Sequence, residues 1–152
     1  MVSMGVRMER VEVRRLVQEK SSLVLCVQET KLQLVDDYCV KSFWGDAQCG
    51  YSYNPLVGAS GGLLTVWDST RLNVCYSTSF DHALVINGTV IQTGEDVFIV
   101  NVYAPCDAVA KIISWDRLTS YVLSKNDYCL CVCGDFNSVR SCNERRGRDV
   151  VF

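Results

Sequence analysis

The chain has little of what several function classes require. It has one histidine, His82, and two prolines in 152 residues. A single imidazole, with no C-x-x-C pair, leaves no closed zinc site of the usual Cys/His spacing. Lysine and arginine number 15 against 17 carboxylates, a net charge of −2, so no overall basic surface advertises nucleic acid. The charge is uneven, however. Arg7, Arg10, Arg14 and Arg15 crowd the N-terminal part, and Arg140, Arg145, Arg146 and Arg148 crowd the C-terminal end. No apolar run is long enough to span a membrane. Residues 1–20 carry charge throughout, with no apolar stretch of a secretory signal. The expectation is an intracellular protein of nucleus or cytoplasm, with no membrane partner and no small-molecule cofactor.

What is present is apolar content, 49% of the chain, and nine cysteines. The first is enough for a folded core in a single domain. The odd cysteine count and the apolar setting of many of them point to reduced thiols. Tyr128–Cys133 is an unbroken apolar run that enters Gly134, with Asp135 and Asn137 two positions apart just beyond. Such a run fits a strand buried on both faces. Cys129, Cys131 and Cys133 then share one face and are read as packing. Polar groups at the C-terminal end of a strand sit where α/β sheets place their sites, and Asp with Asn is a hard-oxygen pair suited to Mg²⁺. A plain polar turn is the competing reading.

In chain order, Arg7–Lys20 reads as a helix, with Met1–Gly5 only a lead-in. Leu23–Val27 is a buried strand ending in Gln28-Glu29-Thr30, again with a carboxylate at its end. Leu32–Phe43 reads as a helix, and Gly45–Ser60 as a loop carrying Tyr51 and Tyr53. Leu63–Trp67 is a strand. A meander follows over Leu72–Ser77, Ala83–Ile86, Thr89–Thr93 and Val97–Tyr103, with Asn87-Gly88 as a hairpin turn. Asp107 caps a helix over Ala108–Ser124. Helices interspersed with antiparallel strands suggest a layered α/β sandwich with mixed sheets.

Four phrases occur in one order: Q-E-T at 28–30, S-G-G at 60–62, N-V-Y-A-P at 101–105 and G-D-F-N at 134–137. Together they resemble the endonuclease/exonuclease/phosphatase superfamily, the fold of type I DNase, exonuclease III-like abasic-site endonucleases and inositol-polyphosphate 5-phosphatases. The phrases L-C-V-Q-E-T-K-L, S-G-G-L-L-T-V-W, N-V-Y-A-P-C-D, C-V-C-G-D-F-N and S-V-R-S-C-N-E-R-R-G are most similar to the endonuclease domain of plant LINE-type (non-LTR) retrotransposons. The resemblance covers about residues 7–147. It implies a four-layer α/β/β/α sandwich of the DNase I-like type and a Mg²⁺-dependent DNA endonuclease, with Mn²⁺ as an alternative ion.

By that resemblance Glu29 binds the metal, and Tyr103 lies against the scissile phosphate as a donor or nearby base. Asp135 orients or deprotonates water, and Asn137 holds phosphate or water. The arginines Arg140, Arg145 and Arg146 are weak candidates for contacting nucleic acid. The family's opening strand with its Asn and its closing Ser-Asp-His segment have no counterpart here, and Cys106 replaces an Asn found in several relatives. The resemblance therefore implies that 1–152 is a single incomplete domain, truncated at both ends, with little or no nuclease activity. A phosphatase of the same superfamily, and a non-catalytic retroelement remnant that binds nucleic acid weakly, are the alternatives.

Overall fold

A computed structural model describes residues 10–55, 61–80, 82–124 and 128–137, together with the backbone of 2–4. The elements are β1 (Val2–Met4), α1 (Arg10–Glu19), β2 (Val24–Val27), α2 (Asp37–Trp44), β3 (Cys49–Asn54), β4 (Leu63–Asp68), β5 (Leu72–Phe80), β6 (Ala83–Val90), β7 (Asp96–Tyr103), α3 (Ala108–Leu123) and β8 (Cys129–Asp135). They form two four-stranded sheets, ordered β1-β2-β4-β3 and β5-β6-β7-β8. Both are mixed. β1 runs parallel to β2 and β8 parallel to β7, and the remaining pairs are antiparallel.

Strand alternation sets the layers. In β2, Leu25 faces α1 and α2, where it packs with Val13, Val17, Val40 and Phe43. Its neighbours Val24 and Cys26 face the other sheet and meet Ile86, Ile99 and Cys133. In β7, Phe98, Val100 and Val102 face α3 and its Leu118, while Val97 and Ile99 point back between the sheets. The order helices, sheet, sheet, helix is the expected α/β/β/α sandwich.

The helix boundaries follow from capping. α1 stops where Ser21 takes a left-handed φ of 45° and the N–H of Ser22 bonds Val17 O at 3.1 Å, a common helix ending. α2 begins at Asp37, later than the expected Leu32. Asp36 is its N-cap and accepts from the N–H of Cys39 at 2.8 Å. Asp107 caps α3 as expected, accepting from the N–H of Ala110 at 2.8 Å.

Four expectations need correction. The lead-in contains β1, which pairs with β2, so β2 has strands on both edges. The expected loop at 45–60 contains β3, whose Tyr51 and Tyr53 pack on the first core. Asn87-Gly88 is no turn. β6 runs straight through it, and the chain reverses at 91–95. Gly88 lies opposite an irregularity in β5 between Val74 and Tyr76, and a Cβ there would come 2.6 Å from Asn73 O. The glycine serves a close backbone approach, a reason strands carry glycine.

Finally, β8 is not buried on both faces. Leu130 and Val132 are exposed, Cys129 is exposed, and of the three cysteines only Cys131 and Cys133 pack between the sheets. Cys133 bonds Cys26 across that core, which with burial pushes the Cys26 thiol well up. Arg140, Arg145 and Arg146 lie outside the described residues.

Candidate functional site

The C-terminal ends of β2, β7 and β8 lie at one end of the sandwich. Glu29 follows β2 by two residues. Tyr103 closes β7 and Asp135 closes β8, and the two are register partners. Alternation places Tyr103 on the same face of β7 as Asn101 and Ile99, towards the other sheet. There Tyr103 Oη donates to Glu29 Oε1. Glu29 holds a left-handed φ of 53°, rare for a residue with a side chain, and Lys31 another of 50°. Outliers of this kind gather at functional segments.

The S-G-G phrase contributes space. A Cβ on Gly61 would sit 3.0 Å from Glu29 Cα, 3.1 Å from its Cγ and 3.2 Å from Tyr103 Cε1. Gly62 O accepts from the N–H of Thr30 at 3.0 Å, which ties the segment after β2 to the start of β4. In G-D-F-N the glycine is obligatory for a different reason. Gly134 has φ 147°, and a Cβ there would lie 1.8 Å from Val102 O. Its presence lets β8 lie close against β7, so that Asp135 O accepts from the N–H of Ala104 at 2.8 Å. Asp135 Oδ1 in turn accepts from the N–H of Asn137 at 2.8 Å, and Asn137 Nδ2 donates to Ala104 O at 2.5 Å. The Asn137 side chain also bonds Tyr103, so it links the ends of β7 and β8.

The electrostatics follow from these contacts. The bond to Glu29 is the main reason that the Tyr103 hydroxyl is pushed up to about 12; burial and the Glu29 charge add to it, and a hydrogen bond with Asn137 opposes it.

Three supporting residues escaped the sequence reading. Asn101, part of the N-V-Y-A-P phrase but without an expected role, is fully buried and ties the sheets together. Its Oδ1 accepts from Gln28 Nε2 at 2.6 Å, and its Nδ2 reaches Leu64 O at 3.0 Å, Val27 O at 3.3 Å and Thr65 Oγ1 at 3.3 Å. A carboxamide inside V-F-I-V-N-V-Y was the available signal, since a polar group in a buried strand needs partners. Lys111 and Trp115 of α3 hold the 135–137 turn: Lys111 Nζ donates to Asn137 O at 2.7 Å, and Trp115 stacks on Phe136 at 5.6 Å. Nothing in their spacing announced this. His82 precedes β6 and lines a small cavity against α3 with Phe80, Ser114 and Arg117.

Among the described residues no helix is long and apolar enough to cross a membrane. No protein-family model matches the chain, and no curated protein sequence matches it. Solved structures do. ANGEL2, a 2',3'-cyclic phosphatase, aligns with a TM-score of 0.61 at 14% identity, over 84% of this chain and 43% of its own. The human Nocturnin catalytic domain with bound sulfate aligns with a TM-score of 0.62 at 14% identity, over 86% and 57%. The Bacteroides thetaiotaomicron mannosyl-6-phosphatase aligns with a TM-score of 0.61 at 13% identity, over 85% and 56%. The chain spans about half the length of these proteins. At such identities the likeness is one of architecture: two facing mixed sheets flanked by helices, the DNase I-like α/β fold.

Proposed function

We propose that this chain carries a divalent-cation phosphoesterase site of the endonuclease/exonuclease/phosphatase type. Its substrate is a nucleic-acid phosphodiester, DNA in the reading that makes the chain a retroelement endonuclease domain. One observation carries the proposal: Glu29, Tyr103, Asp135 and Asn137, from the ends of three strands, meet at one end of the sandwich, linked by the Tyr103–Glu29 and Asn137–Asp135 hydrogen bonds.

The donor set suits a hard cation. Among the described residues no group of three or more His, Cys, Asp or Glu gathers, and Mg²⁺ is commonly held by one or two carboxylates, with water and substrate phosphate completing its shell. Glu29 would hold Mg²⁺, or Mn²⁺ in its place. The ion would supply charge stabilisation at the phosphoryl oxygens.

The side chains divide the remaining work. Asp135, aimed by the N–H of Asn137, accepts the proton of the attacking water. The water oxygen forms the new P–O bond as the bond to the leaving oxygen breaks, and the leaving oxygen takes a proton from solvent. Tyr103, with its hydroxyl pushed up to about 12, is protonated at neutral pH, which favours the donor role over the base. A donor aimed at the charged oxygens is worth about 10²–10³-fold in rate. The one histidine of the sequence lines the cavity against α3, so the described site residues work without an imidazole beside them.

The test is nicking of supercoiled plasmid in Mg²⁺ or Mn²⁺, beside hydrolysis of small phosphomonoesters and a Mn²⁺ binding titration. Nicking that disappears in Glu29→Ala and Asp135→Asn supports the proposal. Monoester hydrolysis without nicking moves the assignment to the phosphatase reading, for which ANGEL2 and the mannosyl-6-phosphatase are the comparison. No hydrolysis, with Mn²⁺ binding indifferent to Glu29→Ala, would falsify it and leave the non-catalytic reading.

A further inference from the structure

Arg10, Arg14 and Arg15 lie on α1, away from the strand-end site. On α1, Arg10 and Arg14 are four residues apart and share a stripe, with Arg15 beside it. On α2, Tyr38 and Lys41 are three apart and turn to the same side. An open cleft of about 810 Å³ between the two helices is lined by all five. Val13, Val17, Val40 and Phe43 seat the two helices on the first sheet.

Four cations line this cleft against one carboxylate, Asp46, in a chain whose net charge is −2. The cations are only loosely occupied. Arg14 pairs with Asp46 at 3.1 Å with side chains 40% and 89% exposed, and Arg15 with Glu19 at 2.8 Å with side chains 59% and 50% exposed. Pairs so exposed to solvent are weak, so an incoming anion displaces the carboxylates at little cost. The Arg10 guanidinium lies 5.2 Å over the Phe43 ring, a contact that orients it while leaving its N–H edge available. Tyr38, in the first turn of α2, is 82% exposed.

Arginine forks match phosphate oxygens. Exposed aromatics among cations are platforms on which unpaired bases stack. Among the described residues Val11 and the Tyr38 ring are the apolar side chains of the lining, and the four cations around them complement a polyanion. We propose that the α1–α2 cleft binds single-stranded nucleic acid, with phosphates on Arg10, Arg14, Arg15 and Lys41 and a base on Tyr38. This surface is separate from the strand-end site and binds whether or not that site hydrolyses anything.

The experiment is fluorescence anisotropy of a labelled oligodeoxythymidylate with the purified chain, over a salt titration. Neutralising three or four phosphates gives a slope of log K against log salt of about −2 to −3. Arg14→Glu/Lys41→Glu weakens binding by at least about tenfold. Tyr38→Ala also weakens it about tenfold without changing the slope. Circular dichroism checks that these helix-surface variants are folded, and Lys41→Ala alone is expected to give a smaller loss in the same direction. Glu29→Ala leaves binding intact. The proposal is overturned if the charge-reversal variant binds as well as the parent, or if Glu29→Ala abolishes binding, which would put the oligonucleotide in the strand-end site. It is equally overturned if duplex DNA or polyglutamate competes better than the single strand.

Discussion

Replacing Asn101 with alanine is the sharpest test of how the sheets hold the candidate site. The side chain is fully buried. Its NH₂ has two hydrogens for three acceptors, Val27 O, Leu64 O and Thr65 Oγ1, all within 3.3 Å, and its Oδ1 accepts from Gln28. Truncation therefore strands two or three buried polar groups at roughly 1–3 kcal/mol each, and the small cavity adds about 1 kcal/mol. A total of roughly 3–10 kcal/mol is a large part of the ~5–15 kcal/mol that holds a domain folded. In a chain of this size it lowers Tm by roughly 6–40 °C. Urea unfolding followed by far-UV circular dichroism gives the stability directly. Gln28→Ala, made in the parent and in the Asn101→Ala background, gives the coupling, expected to be at least about 1 kcal/mol. A loss under about 1 kcal/mol for Asn101→Ala at unchanged m-value would refute the buried network.

Two further outcomes follow from local geometry. Gly88→Ala places a Cβ 2.6 Å from Asn73 O, a backbone atom, and should cost roughly 1–3 kcal/mol in a thermal melt; a neutral result would mean that β5 and β6 are not this close. The Tyr103 hydroxyl is raised from 10 to about 12, so the folded state holds its proton more tightly than the unfolded one. The stability this supplies is complete below about pH 10 and is lost as pH rises towards about 12. Tyr103→Phe should flatten that part of the stability curve, and Glu29→Gln should bring the phenolate absorbance transition down; a transition already near 10 in the parent would show that the bond to Glu29 does not persist in solution.

Periodicity and phrase order made most of this architecture readable. The alternation in Val97–Tyr103 and the helical spacing after Asp107 placed β7 and α3 almost to the residue, and the four phrases named the side chains that meet at the strand ends. The failures have physical causes. Asn87-Gly88 looks like a hairpin turn from local chemistry, but the opposing irregularity in β5 is a tertiary feature that short-range signals do not carry. β3 hid because Cys-Gly-Tyr-Ser-Tyr-Asn is turn-like in composition and gains its strand from pairing with β4. An apolar run such as Cys129–Cys133 reports hydrophobicity, not neighbours, so it reads as buried on both faces although the outward residues Leu130 and Val132 of β8 are exposed. Lys111 was invisible because its partner is a backbone carbonyl 26 residues away.

The hydrogen bond between Tyr103 and Glu29 joins residues 74 positions apart. A contact of that span contributes nothing until the loop between its ends has closed, and here the closure is the docking of one sheet on the other. The candidate site is therefore a late product of folding, and its integrity reports on the inter-sheet core. A substitution at Cys26, Ile86 or Ile99, in the core between the sheets, would be felt at the site as a change of alignment before it was felt as loss of secondary structure.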